Sequence, residues 1–184
     1  MWLGMSGYAR SGKDTVADIL HTEYGFGRVA LAAPLKDMMY TLNPYVPDER
    51  TYDWIRYQDY VDDVGLHEAK NNPEVRRLLQ CFGTEVMRQQ FGEDVWVNLA
   101  YSSKDPSDHW VVTDCRYKNE ANGIRDHGGF IVRVDRPGIE PPNLHPSEVE
   151  ILDYDFDYHL DNSGTLEDLS TSVHTMMDEL RSRA

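Results

Sequence analysis

Residues 7 to 15 read Gly-Tyr-Ala-Arg-Ser-Gly-Lys-Asp-Thr. Two glycines bracket four residues and a lysine follows the second. The stretch comes directly after an apolar run (Trp2 to Ser6) and directly before a helical pattern carrying Val16, Ile19 and Leu20. That is the context the G-x-x-x-x-G-K spacing requires. Glycines let consecutive backbone N–H groups turn inward around an anion, a helix N-terminus adds partial positive charge, and the lysine reaches the outer phosphates of a nucleoside triphosphate. Gly7, Ala9, Arg10, Ser11, Gly12, Lys13, Asp14 and Thr15 are therefore candidate phosphate-tail ligands. The bland alternative is a glycine-rich strand-to-helix turn with an exposed lysine; the strand and helix around the loop weigh against it.

Asp14 stands where a hydroxyl residue is usual in such loops. Magnesium takes oxygen ligands in an octahedron and does not require a hydroxyl, so a carboxylate there can bind it directly or through water. The carboxylate would otherwise face the triphosphate, a cost that the helix dipole offsets by about 0.3–1 kcal/mol. Thr15 is the alternative ligand, and a purely helix-terminal role for Asp14 is the other reading.

A second chemical signal is "HWVVTDCRYKNE", in which an apolar strand ends on Asp114. An acid at a strand end beside a phosphate loop suits a group that supports the magnesium from behind its ligands, or a base that orients an acceptor. Arg116 can present a bidentate fork to a phosphate, or pair with Glu120 on the surface.

The elements that would position these groups alternate strand and helix. Strands are expected at about 2–6, 28–32, 109–114, 130–134 and 157–161, and helices at about 12–23, 34–42, 73–91, 93–103, 117–127 and 166–182. The last helix is the best marked, with Thr165 as N-cap, Asp168 three residues on, and Leu166, Leu169, Val173, Met176, Met177 and Leu180 at helical spacing. In the helix over 73–91, Val75, Leu78, Leu79, Phe82 and Val86 form one apolar stripe. This order predicts an α/β fold: a five-stranded parallel sheet covered by helices on both faces, with ligands beyond the carboxyl ends of the strands. Basic residues gather where that rule asks. Arg10 and Lys13 follow the first strand, Lys36 the second, Arg116 and Lys118 the third, and Arg133 and Arg136 the fourth.

The chain has 184 residues, enough for one domain that buries roughly 70% of its unfolded surface. We expect a core at 1–42 and 107–184, an insertion at about 43–106, and a proline-rich loop, a short lid, at about 136–150. The front of the insertion, "NPYVPDERTYDWIRYQDYVDDVG", has no clear period and reads as irregular. Cys81 and Cys115 have no CxxC or histidine partner and read as buried small hydrophobes in a reducing compartment. No basic leader and no apolar run of about 18 residues is present, so the expectation is a soluble, cytoplasmic protein without membrane partners. With 18 Lys and Arg against 32 Asp and Glu, the net charge of −14 disfavours polymeric nucleic acid as a partner, because that binding depends on cations neutralising phosphates.

The segments "GYARSGKDTVAD", "ALAAPLKDMM", "RRLLQCFGTEVMRQQFGEDVWV", "VVTDCRYKNEA", "GGFIVRVDRPG", "HPSE" and "DNSGTLEDL" together resemble one family, the bacteriophage-type deoxynucleoside monophosphate kinases of the P-loop nucleoside monophosphate kinase superfamily. They run in order through most of the chain, with 43–70 the least similar part. This family's loop also places aspartate after the lysine. The resemblance implies a P-loop kinase fold with a helical acceptor-binding insertion and a lid. It also implies transfer of the γ-phosphoryl group of ATP, with Mg2+, to a deoxynucleoside monophosphate, in bacterial cytoplasm if the source is a virus.

On that resemblance the acceptor would meet Arg88 and Trp96, with Lys36, Arg77 and Arg116 nearby. Trp96 is equally suited to core packing, and Arg77 to pairing with Glu74 or Glu85. Lys13, Arg116, Asp114 and one of Arg133 and Arg136 would serve the transfer itself, and Asp14 and Asp114 the metal. Backbone groups from Asn162 through Gly164 to Thr165 would meet the adenine ring, or merely cap the last helix; His145 is given no catalytic role. Two other readings stay open: a P-loop kinase for another small phosphorylated acceptor, of the dephospho-coenzyme A or phosphomevalonate type, and a nucleotide-gated ATPase switch. Base selectivity and a homodimer are also left open.

Overall fold

The computed structural model describes residues 1–105, 107–140 and 150–183. Most of the expected lid, with His145 and "HPSE", lies outside the described residues. In chain order the elements are β1 (Trp2–Ser6), α1 (Lys13–Tyr24), β2 (Gly27–Val29), α2 (Ala33–Leu42), β3 (Tyr45–Asp48), β4 (Asp53–Arg56), α3 (Tyr57–Val64), α4 (Leu66–Ala69) and α5 (Pro73–Gln80). A π-helical stretch (Cys81–Arg88), α6 (Gln89–Phe91), α7 (Val95–Ser102), β5 (Trp110–Val112), α8 (Lys118–Asp126), β6 (Phe130–Asp135), β7 (Tyr158–Asp161) and α9 (Leu166–Arg183) follow. They divide into two compact units: Met1–Leu31 with Trp96–Ala184, and Ala32–Val95. The second unit thus takes in α2 and stops short of Trp96, against the expected insertion of about 43–106.

In the first unit all five expected strands form one parallel sheet in the order β2-β5-β1-β6-β7. β1 is central, so the loop after it leaves the middle of the sheet. Parallel strands buried on both faces need continuous apolar runs, and β1 is buried at every position. Alternation sends Leu3 and Met5 to one face, in a core with Val16, Ala17 and Leu20 of α1 and Leu169, Val173, Met176, Met177 and Leu180 of α9. Gly4 points the other way, where a Cβ would come within 2.8 Å of Ile124 on α8. α9 begins as expected: Thr165 Oγ1 accepts from the Asp168 N–H (3.2 Å) while an Asp168 carboxylate oxygen accepts from the Thr165 N–H (2.8 Å). Leu166, expected in the apolar stripe, is instead 66% exposed in the first turn.

The second unit corrects two expectations. The segment read as irregular is an antiparallel hairpin, β3 with β4, followed by α3, which buries Tyr57 and Tyr60. The pattern was hidden because Asp48, a carboxylate, occupies an inward position of the hairpin and breaks the apolar alternation. It is 4% exposed and is satisfied by the Arg50 N–H (3.0 Å), Nε and Nη2 (both 2.8 Å). Those bonds hold the Asp48 carboxyl below its ordinary range. Asn72 joins the hairpin to α5: its side chain caps Glu74 N–H (2.9 Å) and donates to Pro47 O (2.7 Å).

The single helix expected over 73–91 is interrupted by the π-helical stretch, where Gln89 N–H reaches back to Thr84 O. The apolar residues are spaced in sequence as in an ordinary α-helix, so periodicity does not show the wide turns; these rotate the face, and Val86 ends 38% exposed. Cys81 is partly exposed rather than buried, and its thiol lies 3.5 Å from Glu85; Cys115 is buried, and both are free. No helix among the described residues is long and apolar enough to cross a membrane.

The first unit's core predicts a large truncation cost. Leu160 on β7 is fully buried, so Leu160→Ala is expected to lower unfolding free energy by about 2–5 kcal/mol, measured by urea titration of circular dichroism.

Candidate active site

Backbone conformation makes the loop after β1 concave. Gly7 (φ 138°), Arg10 (φ 66°) and Gly12 (φ 107°) all lie at positive φ, the condition under which successive N–H groups can converge. Gly7 has a second reason to lack a side chain, since a Cβ would sit 2.6 Å from Val134 O and 2.7 Å from Ser11 Oγ. The chain then enters α1 without a side-chain cap. The first N–H groups of such a helix have no preceding helical carbonyl to bond, which makes a helix start of this kind suited to an anion. Lys13 curls over the loop, with Nζ donating to Gly7 O (2.8 Å) and Tyr8 O (2.7 Å).

Asp14 lies in the first turn of α1 with its side chain 82% exposed, and an oxygen accepts from Arg28 Nη2 at 3.1 Å. Arg28 also bridges to Asp18. Asp114, just past β5, has an oxygen that accepts the Leu31 N–H at 2.7 Å, which ties the β2 exit to the β5 exit. Among the described residues no three His, Cys, Asp or Glu side chains group so as to hold a metal by themselves. A magnesium ion ligated mostly by phosphate oxygens and water needs only one or two carboxylates. The exposed carboxylate of Asp14, beside the loop's open amides, fits that donor set.

Arg116 is exposed, and its backbone N–H donates to Glu120 Oε2 (2.8 Å). Arg133, inside the expected strand of 130–134, lies within β6, paired with Ser6 in register, its side chain 12% exposed. Its Nε donates to Asp135 at 2.8 Å, its guanidinium faces the Tyr8 and Phe156 rings at 5.2 and 5.5 Å, and its buried Nη1 has no partner among the described residues. A small cleft is lined by Ser6, Gly7, Tyr8, Cys115, Arg116 and Arg133. Ser6 Oγ and Ser11 Oγ are likewise buried without a partner among the described residues. Arg136, one residue beyond β6, is exposed.

Asn162 is 9% exposed just after β7, while Gly164 and Thr165 are exposed at the start of α9. The sequence reading considered only the backbone of this segment. Its side chain instead reaches the loop, with Nδ2 donating to Ser11 O at 2.7 Å. Tyr8 is a second residue the reading missed, although its place inside the glycine-bracketed loop was a usable signal. Trp96, on α7, is 5% exposed within the first unit. In the second unit Lys36 lies on α2, and Arg77 on α5 pairs with Glu74 (Nη2, 2.7 Å). Arg88 ends the π-helical stretch, with Nη1 3.4 Å from Glu93 O.

The family described as deoxynucleotide monophosphate kinase matches residues 42–173 of this sequence. The chain belongs to the deoxynucleotide monophosphate kinase family. It is 29% identical to a protein of Acanthamoeba polyphaga mimivirus provisionally named for that activity, over 96% of this chain and 95% of the relative. It is 26% identical to the deoxynucleotide monophosphate kinase of Escherichia phage RB69, over 94% and 98% of the two chains. A dephospho-CoA kinase from Campylobacter jejuni superposes with a TM-score of 0.51 at 14% identity, covering 97% of this chain and 96% of that one. That likeness establishes the P-loop kinase fold alone. Family membership accords with the geometry, in which the phosphate loop leaves the central strand of a parallel sheet.

Asp135 offers a pH test of the strand that flanks the loop. Burial pushes its carboxyl up, but bonds from His159 and Arg133 outweigh burial and leave it below its ordinary value of 3.8. A lowered carboxyl stabilises the fold above the unfolded pKa and loses that contribution as pH falls through the folded one. The difference in thermal midpoint between wild type and Asp135→Asn is therefore expected to be largest near neutrality and to narrow below about pH 4. Scanning calorimetry between neutral and strongly acidic pH checks this; a constant difference refutes it.

Proposed function

We propose that this chain transfers the γ-phosphoryl group of ATP to a deoxynucleoside monophosphate, releasing ADP and a deoxynucleoside diphosphate. The observation that carries the reading is the concave loop at the carboxyl end of the central strand, in a chain belonging to this kinase family. Phosphoryl transfer asks for positioning and charge stabilisation more than covalent chemistry. The amides from Gly7 to Thr15 cradle the phosphate tail. Lys13 exchanges its two loop carbonyls for phosphate oxygens when ATP enters, so its cationic head is already at the site.

Asp14 is the carboxylate that holds magnesium, with Asp114 behind it and Thr15 as the hydroxyl alternative; bound there, the ion neutralises charge on the triphosphate. Arg116 and the unpaired Nη1 of Arg133, on the cleft beside Gly7 and Tyr8, are the groups we assign to the transferring phosphoryl and the acceptor phosphate. Arg136 enters the lid, which excludes water so that ATP is not lost to hydrolysis. Lys36, Arg77 and Arg88 on the second unit are the remaining acceptor-side cations. Arg77 must leave Glu74 to serve, and the burial of Trp96 favours packing over stacking on a base. Adenine is read by the segment from Asn162 to Thr165.

The deciding assay incubates the protein with ATP, magnesium and each ribo- and deoxyribonucleoside monophosphate in turn and quantifies diphosphates. The expected result is ADP formed in step with a deoxynucleoside diphosphate; ADP formed equally without acceptor rejects the kinase reading. For the metal, Asp14→Ala is expected to raise the magnesium concentration for half-maximal rate at least several-fold. An unchanged requirement removes Asp14 as the ligand, and a shift in Thr15→Ala alone assigns the hydroxyl.

A further inference from the structure

We infer that the Asn162 side chain is a positioning residue for the phosphate loop. It fixes the orientation of the Ser11–Gly12 peptide and so aims the Gly12 N–H at the phosphate tail. The inference rests on the proposed nucleotide site and assigns it a part supplied from the far end of the chain.

Asn162 is 9% exposed, and its Nδ2 donates to Ser11 O at 2.7 Å across 151 residues of sequence. Its own backbone N–H donates to Asp135 O at 2.8 Å, so the donor is anchored to β6. Asp135 in turn holds Arg133 and His159 through its carboxylate, one partner from β6 and one from β7. The amide is therefore a fixed point, not a mobile surface group.

In a trans peptide the carbonyl of one residue and the N–H of the next point in opposite directions. No described peptide bond is cis. Holding Ser11 O toward Asn162 therefore turns the Gly12 N–H to the other side, into the concavity. Gly12 has no alternative seat: its φ is 107°, and a Cβ would overlap Asn162 Nδ2. Asn162 and Gly12 are thus fitted to each other, the side chain occupying the space the glycine leaves. The Ser11 N–H is already committed to Tyr8 O at 3.1 Å. The Gly12 peptide, with no such tether at its N–H among the described residues, is the one whose direction the Asn162 side chain sets.

The expected effect is that of one amide hydrogen bond to a charged group, roughly ten- to hundredfold in affinity. Calorimetry with tripolyphosphate and with ATP, alongside steady-state kinetics, tests it on Asn162→Ala, Asn162→Asp and Asn162→Ser. Both anions are expected to bind Asn162→Ala at least tenfold more weakly, and KM for ATP to rise in step. KM for the deoxynucleoside monophosphate should stay within about twofold. Asn162→Asp, which sets an acceptor against the Ser11 carbonyl, should be weaker still, and Asn162→Ser, which keeps a donor, should recover part of the loss.

If ATP binding weakens while tripolyphosphate binding does not, Asn162 acts on the base and the inference is overturned. Equal affinity of all variants for tripolyphosphate overturns it as well. A global loss of packing would raise both KM values and lower the melting temperature together, and that outcome also counts against a positioning role. Tripolyphosphate binding needs no catalysis, so a wild-type protein that binds it without transferring phosphate would defeat the proposed function while leaving this inference standing.

Discussion

A concave run of backbone N–H groups without an anion is held against the mutual repulsion of its amide dipoles, so the surrounding structure must impose it. The rest of the first unit is arranged to hold that run open. Positive φ at Gly7, Arg10 and Gly12 bends the chain, Val134 O closes behind Gly7, and Asn162 grips Ser11 O. The Lys13 head rests on the carbonyls of Gly7 and Tyr8. Sheet order explains why this works: β1 lies between β5 and β6, so the loop is supported by neighbours on both sides.

Charge follows the same logic. A chain with a net charge of −14 repels nucleotides at long range, and local cations must overcome that field within about a Debye length, 10 Å at 0.1 M salt. Here Lys13, Arg116 and Arg133 border the loop or its cleft. Arg28, by contrast, is spent on Asp14 and Asp18. Asp14 therefore has a cationic partner within its own unit, which offsets the charge of a carboxylate placed beside the loop. Arg133 is held between Asp135 and the Tyr8 and Phe156 rings, so its position is set by the sheet. It loses little side-chain freedom on meeting an anion.

The second unit solves a different problem. Two-stranded hairpins are marginal alone, and this one is secured by Tyr57 and Tyr60 beneath it, by Asn72 reaching Pro47 O, and by the buried Asp48 with Arg50. A buried carboxylate contributes specificity only while its partner is present. Arg50 makes three of its bonds to that one residue and a further ion pair with Asp63.

Much of this was legible from the sequence because the features are local. Glycine spacing, a following lysine and the switch from an apolar run to helical periodicity lie within a few residues of one another. They determined the strand-to-helix turn from Gly7 to Lys13, the five strands and the class of fold, and the cap at Thr165 and Asp168 was equally readable. What the sequence left open depended on partners far along the chain. Asp48 looked like loop polarity until Arg50 was seen to satisfy it. One helix became three segments because a wide turn leaves no mark on a stripe. Above all, Asn162 was legible only through its backbone, as an adenine contact or a cap, 151 positions from Ser11. Only the parallel packing of β7 beside β6, and β6 beside β1, carries its amide to the loop, because side chains distant in sequence meet through strand order, which no local pattern encodes.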